Sequence, residues 1–164
     1  MTRLFVAVWP PEEVVEELRA LPRKDQRGVR FVPPDNWHIT LRFLGAAGID
    51  DVARALDGLQ ATRAKARLGP GIDVLADRAL VVPVHGLDDL AAAVTACTAD
   101  LGERPRARFI GHLTLARLKH HVPMPRALGM MVEAEFDVDE VALVESRLHP
   151  DGARYQTVAT WPLG

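Results

Sequence analysis

A single cysteine, Cys97, occurs among the 164 residues, so no intrachain disulfide can form and a reducing compartment is the expected setting. It lies in the alanine-rich stretch from Leu90 to Leu101 and reads as a small buried hydrophobe. Aromatic residues are scarce, at 5%. Stacking platforms for nucleobases are therefore limited to Trp9, Trp37, Phe5, Phe109 and Tyr155, each of which reads first as core. Long apolar runs are missing too. Met1 to Trp9 is too short for a signal-peptide core or a membrane span, and it runs into Pro10-Pro11, so a cytoplasmic chain without membrane association is expected. A net charge of -2 gives no global attraction to polyanions, and any such affinity has to come from local basic patches. What remains, 48% hydrophobic and 26% charged, is the composition of a soluble globular protein and excludes a disordered one. The length suits one domain over 1–164, built as two lobes on a shared core, with a monomer as the default.

Within that ordinary background one short pattern occurs twice: His38-Ile39-Thr40-Leu41 and His112-Leu113-Thr114-Leu115. Each copy sits in an apolar run, Trp37 to Leu44 and Phe109 to Leu118, that reads as a buried strand. Side chains two apart on a strand share a face, so His38 goes with Thr40 and His112 with Thr114, while the alternate residues enter the opposite layer. One histidine followed by a threonine on a strand is most simply a hydrogen-bonded structural pair. Two copies in matching contexts, from only six histidines, point to function.

In chain order, Leu4 to Trp9 predicts a strand and Pro11 to Pro22 a helix with Glu12 and Glu13 at its positive end. Arg23 to Asn36 reads as a loop whose Arg23, Lys24, Arg27 and Arg30 are either a solvated face or a steering patch for a phosphate-bearing substrate. Asp50 or Asp51 caps a second helix expected to run to about Arg67. Two short strands follow, Ile72 to Leu75 and Ala79 to Val84, with a turn at Ala76-Asp77-Arg78; Pro83 places the second at a sheet edge or ends it early. A third helix is predicted over Leu87 to Leu101, then basic Arg104 to Arg108, the second motif strand, a loop at Lys119 to Pro125, a strand or two from Phe136 to Leu148, and a last strand from Tyr155 to Trp161. His85 and His149 read as surface or turn residues. This order predicts an α/β (α+β) fold of two pseudo-symmetric lobes, with mainly antiparallel sheets and outer helices, and a groove between them that brings both motifs together.

Two imidazoles and two hydroxyls, with neither a nucleophilic cysteine nor an acid partner, suit an in-line phosphoryl displacement. With a pKa near ~6.5 one imidazole can be neutral while the other is protonated. The neutral one takes a proton from the attacking water or hydroxyl, and the charged one gives a proton to the leaving oxygen. Threonine hydroxyls can hold the non-bridging oxygens, and an arginine can offset the growing charge. A cyclic phosphodiester, whose ring positions the departing oxygen, is a good candidate substrate. The residues alone leave open which histidine is the acid.

The paired His-x-Thr-hydrophobic motifs resemble those of the two-histidine (2H) phosphoesterases. With Leu4 to Glu12, Val32 to Gly45, His112 to Arg117, Ser146-Arg147-Leu148 and Gly152 to Tyr155, the chain looks most like the bacterial and archaeal RNA 2′,3′-cyclic phosphodiesterases, also called 2′-5′ RNA ligases, over nearly its whole length. The resemblance implies cofactor-free, metal-free opening of an RNA 2′,3′-cyclic phosphate to a 2′-phosphomonoester, with slower, reversible 2′-5′ joining. It assigns His38 as general acid to the 3′ oxygen and His112 as general base to water, with Thr40, Thr114 and Arg117 on the phosphate. Its implied partners are RNAs with cyclic phosphate ends, tRNA fragments among them, or cyclic nucleotides. Strict alternation puts Arg42 on the His38 face and Arg117 opposite His112 unless a bulge intervenes, so both arginines are candidates. The chain departs from the pattern at Gly111, where the family often has proline, and in Gly69 to Ile72 and Val82 to Val84, where it usually carries aromatics.

Three other readings compete with this one. A metal-dependent hydrolase on His112, His120 and His121 is disfavoured, because His120-His121 are adjacent in a loop and no spaced histidine pair with an acid is present. A non-catalytic RNA-end or nucleotide-binding module would keep the groove without turnover. A phosphodiesterase for another cyclic or 2′-5′ nucleotide, such as ADP-ribose cyclic phosphate or oligoadenylate, would use the same groups.

Overall fold

The computed structural model describes residues 2–76 and 78–164; the central residue of the turn expected at Ala76-Asp77-Arg78 lies outside them. The elements run β1 (Thr2–Val8), α1 (Glu12–Arg19), β2 (Val29–Phe31), β3 (Ile39–Ala47), α2 (Ile49–Asp57), β4 (Ala64–Leu68), β5 (Asp73–Leu75), β6 (Ala79–His85), α3 (Asp88–Cys97), β7 (His112–Leu118), β8 (Ala134–Val138), β9 (Glu140–His149) and β10 (Gly152–Pro162). The α/β class and the antiparallel pairing agree with the sequence: one sheet runs β10-β9-β1-β3-β7-β6-β4-β8, with β2 added to β7 and β5 to β6. Each half of that path contains a strand-helix-strand unit, β1-α1-β3 on one side and β6-α3-β7 on the other. The two halves meet at a single residue pair, Ile39 opposite Leu113.

Burial sorts the faces. Val14 and Leu18 of α1, Val52 and Leu56 of α2, and Leu90, Ala91 and Val94 of α3 join Leu4, Val6, Ile39, Leu113 and Leu143 in the main core, so the helices cover one face of the sheet. On the opposite face of the first half, Phe5, Ala7, Ala142 and Val144 form a second cluster with Trp9, Phe43 and Tyr155 packed against it. That face carries the first motif.

Several expectations are corrected. The second helix stops at Asp57 instead of near Arg67, because Gly58 follows and the alternation of buried Ala66 and Leu68 with exposed Lys65 and Arg67 makes β4. The third helix ends at Cys97, not Leu101; the Thr98 hydroxyl caps back to the Val94 carbonyl at 2.7 Å and the chain turns. The loop from Arg23 to Asn36 contains strand β2. Pro83 is in the interior of the sheet, not at its edge. Its neighbour Val84 donates toward β7, to the Gly111 carbonyl at 2.9 Å, so the donor that proline lacks faces the gap between β5 and β4, where the Pro83 carbonyl accepts from Gly69.

Candidate active site

The β3–β7 junction puts the two motifs side by side. Ile39 and Leu113 are fully buried in the main core, so their sequence neighbours project from the other face of the sheet. On the antiparallel register that this pair sets, His38 lies across from Thr114 and Thr40 across from His112. Four polar side chains thus converge where β3 pairs with β7.

Both imidazoles are held in the same tautomer. His38 Nδ1 lies 2.8 Å from the Asn36 carbonyl and His112 Nδ1 lies 2.7 Å from the Ile110 carbonyl. A carbonyl only accepts, so each Nδ1 carries the proton and donates. Each Nε2 is left as the atom that exchanges protons. In the neutral ring His38 Nε2 accepts from the Thr40 hydroxyl at 3.0 Å. The carbonyl that orients His38 is itself fixed, since the Asn36 side-chain amide donates to the Ala153 carbonyl at 3.0 Å. In the sequence Asn36 stands out only as part of a turn, and nothing local to it signals this second role.

Three aromatic rings enclose His38: Phe5 at 4.8 Å between centroids, Tyr155 edge-on at 5.2 Å and Trp9 at 5.7 Å. The Trp9 indole N–H donates to the Thr157 hydroxyl at 3.1 Å, which fixes that ring. Phe5 is buried, as expected, in the second core cluster on the motif face, and Trp9 and Tyr155 pack half-buried against it. Trp37 and Phe109 do pack with the main core. Enclosure costs His38 its hydration, so burial pushes its pKa below the ordinary 6.5; the Asn36 carbonyl works against this, and the charges of His112 and Arg117 reinforce it. Tyr155 is pushed up by burial and pulled back by Arg117. His112 and Arg117 therefore lie within electrostatic reach of the enclosed ring.

The two arginines are separated by bulges. In β7, Thr114 aligns with Val81 and Ala116 with Leu80, which leaves Leu115 as an extra residue; Arg117 aligns with Ala79 and returns to the Thr114 face. In β3, Thr40 aligns with Ala7 and Arg42 with Val6, which leaves Leu41 extra and sends Arg42 to the opposite face. Arg42 is 4% exposed and donates to the carbonyls of Phe43 (2.8 Å), Leu101 (2.8 Å) and Glu103 (2.9 Å). The expectation that it shares the His38 face is corrected: it ties the segment after α3 to β3, and it does not reach the motifs.

His112, His120 and His121 form no metal site; among the described residues no three His, Cys, Asp or Glu side chains are grouped to hold an ion. His120 Nε2 instead accepts from the Arg78 guanidinium. No helix among the described residues is long and apolar enough to cross a membrane.

Residues 8–68 match the family model described as LigT like phosphoesterase. A protein of Thermus thermophilus named RNA 2′,3′-cyclic phosphodiesterase is 32% identical, over 98% of this chain and 90% of its own length. One of Archaeoglobus fulgidus with the same name is 30% identical, over 94% and 96% respectively. Among solved structures, TT0787 of Thermus thermophilus superposes with a TM-score of 0.77 at 30% identity, covering 98% of this chain and 97% of the other. Escherichia coli LigT complexed with 3′-AMP gives a TM-score of 0.80 at 26% identity, covering 99% and 98%. With two relatives at 30% identity or more aligned over nearly the full chain, and a fold shared end to end, the chain belongs to the LigT-like phosphoesterases, the family of the RNA 2′,3′-cyclic phosphodiesterases.

Proposed function

We propose that this chain opens the 2′,3′-cyclic phosphate at an RNA end to a 2′-phosphomonoester, with His38 as general acid and His112 as general base. The observation that carries the proposal is the shared tautomer: two imidazoles, each with Nδ1 committed to a carbonyl two residues back and Nε2 left to exchange protons, flank one junction. His112 Nε2 takes a proton from water, the water oxygen attacks phosphorus in line, and the bond from phosphorus to O3′ breaks. His38 Nε2 gives its proton to that departing oxygen, and proton transfer through solvent resets both rings. Thr40 and Thr114 donate to the non-bridging oxygens, and Arg117 balances their charge. A 5′-hydroxyl in place of water gives a 2′-5′ linkage by the same steps, so joining is the slower companion of hydrolysis. The two imidazoles supply both proton transfers, and turnover is expected to persist in a strong chelator. The substrate is RNA with a cyclic phosphate end, and the working unit is one chain over 1–164 in the cytoplasm, a setting that suits the lone Cys97.

The reverse assignment has one observation in its favour: burial favours the neutral form of His38 in the free chain, whose Nε2 then accepts from Thr40. The family assignment fits if the bound phosphodiester anion restores the proton. A cyclic substrate with sulfur at the 3′ bridging position separates the two, because a thiolate leaves without protonation. Rescue of His38→Ala but not His112→Ala supports His38 as the acid, and the opposite pattern exchanges the roles. For the activity itself, a short RNA ending in a 2′,3′-cyclic phosphate is incubated in chelator. Each alanine variant should lose roughly 10²- to 10⁴-fold in rate; full activity in both variants would end the proposal.

A further inference from the structure

Arg30 sits directly across from Arg117 in the β2–β7 pairing, so the two guanidinium groups leave the sheet on the same face. Like charges placed opposite each other on neighbouring strands destabilise a sheet, and such an arrangement suits an anion that lies between or beside them. Among the described residues neither arginine forms an ion pair. Glu145 is already held by Arg147, at 2.5 Å. The Arg30 guanidinium rests against the β9–β10 hairpin, 3.0 Å from where a Cβ on Gly152 would be. This is the hairpin whose Ala153 carbonyl holds Asn36. A cleft of about 270 Å³ between the ends of β2 and β7 is lined by Arg30, Arg117 and Lys119 together with Gly28, Val29 and Leu118. The cleft carries three cations and no carboxylate.

One cyclic phosphate carries a single negative charge, which Arg117 and a protonated imidazole already answer. A second arginine a strand further out has no counterpart in a mononucleotide. It does have one in a polynucleotide, whose strand repeats a phosphate at every step. We infer that Arg30 binds the phosphodiester immediately 5′ of the terminal nucleotide, and so makes the site select RNA ends over free cyclic mononucleotides. The inference rests on the proposed function for the identity of the substrate.

The test compares Arg30→Gln with wild type on a nucleoside 2′,3′-cyclic monophosphate, which has one phosphate, and on a dinucleotide ending in the same group, which has two. Arg30 is exposed, and replacing it takes no apolar group from the core. The variant should raise KM for the dinucleotide about tenfold, the loss expected for one hydrogen bond to a charged group. It should also reduce the salt dependence of dinucleotide binding by about one charge. The mononucleotide should keep its wild-type kcat/KM. Equal losses on both substrates would overturn the inference by placing Arg30 on the scissile phosphate, and no loss on either would overturn it outright. Should wild type turn over neither substrate, the proposed function fails separately. Arg30 is then read from binding alone, where an equal effect of the substitution on the dinucleotide and mononucleotide 2′-phosphates overturns the inference.

Discussion

Phe43 and Arg117 occupy the same place in the two halves of the chain: each stands five residues after its motif histidine, just beyond a bulge at the leucine that closes the motif. The extra residue at Leu41 turns Phe43 onto the motif face, where the Arg3 guanidinium lies 5.5 Å from the centre of its ring. The extra residue at Leu115 turns Arg117 onto that face beside Thr114. One backbone device thus gives an apolar wall in the first half and a cation in the second. The symmetry of the fold is broken at the proposed phosphate site.

Arg117 and Arg42 should therefore respond in opposite ways to loss of charge. Arg117→Met removes an exposed cation beside the site and should lower kcat/KM by roughly 10²-fold or more, the range for losing one stabiliser of transition-state charge, with little change in Tm. Arg42→Met leaves the Phe43, Leu101 and Glu103 carbonyls without their donor, at a cost of about 1–3 kcal/mol for each group that stays buried and unpaired. Melting should move markedly while the folded variant keeps its kcat. Steady-state kinetics with thermal denaturation of both variants decides; a catalytic loss in Arg42→Met without a change in melting contradicts the geometry.

Gly111 predicts a second effect on stability. A Cβ at this position would lie well inside van der Waals contact with the Val84 carbonyl oxygen, and this is backbone that cannot swing aside. Gly111→Ala should push β6 from β7 next to His112, costing about 1–3 kcal/mol as overpacking does and lowering turnover with it. Glycine at this position goes with the close approach of Val84, whose N–H donates to the Gly111 carbonyl. A variant with unchanged melting and unchanged kcat would show that the strands can separate freely.

Tyr155 tests the enclosure of His38. Its ring meets that imidazole edge-on, so Tyr155→Phe should keep the packing and most of the activity, whereas Tyr155→Ala opens one wall to water. Rehydration should raise the pKa of His38 toward its ordinary value, because burial is the largest cause of the depression. Imidazole chemical shifts followed against pH in both variants provide the measurement; equal titrations would mean that Tyr155 contributes nothing to the low value.

How far these features are legible in the sequence depends on the range of the interaction. The motif strands, their shared polar face and the order of elements are readable because period-two alternation is written in consecutive residues. Strict alternation fails at Arg42 and Arg117, since a bulge is fixed by pairing with a strand distant in sequence and leaves no local mark. β4 hides behind the second helix because Ala64 to Leu68 is short, and its partners β6 and β8 come later in the chain. The aromatic wall is hidden for a related reason: Phe5, Trp9 and Tyr155 are apolar and half-buried or buried, and only the pairing of β1 with β9 and β9 with β10 shows which face they cover.

The low pKa of His38 has two signed consequences. In the unfolded chain this imidazole titrates near 6.5, whereas in the fold it holds its proton less well. Below 6.5 the unfolded state takes up a proton that the native state resists, so stability is full above that pH, falls as the pH drops toward the folded pKa, and levels off beneath it. His38→Gln should lose this acid sensitivity while retaining that of other groups. In catalysis, an acid must begin protonated, and the alkaline limb of kcat/KM reports the free enzyme while that of kcat reports the complex. A bound phosphodiester anion offsets the charges of His112 and Arg117 that disfavour the imidazolium. With His38 as the proposed acid, its limb should therefore lie below 6.5 in kcat/KM and at higher pH in kcat. Inorganic phosphate should produce the same upward shift in the imidazole resonances of His38. A limb at the same pH in both parameters, with resonances unmoved by phosphate, would mean that the anion does not bind beside His38.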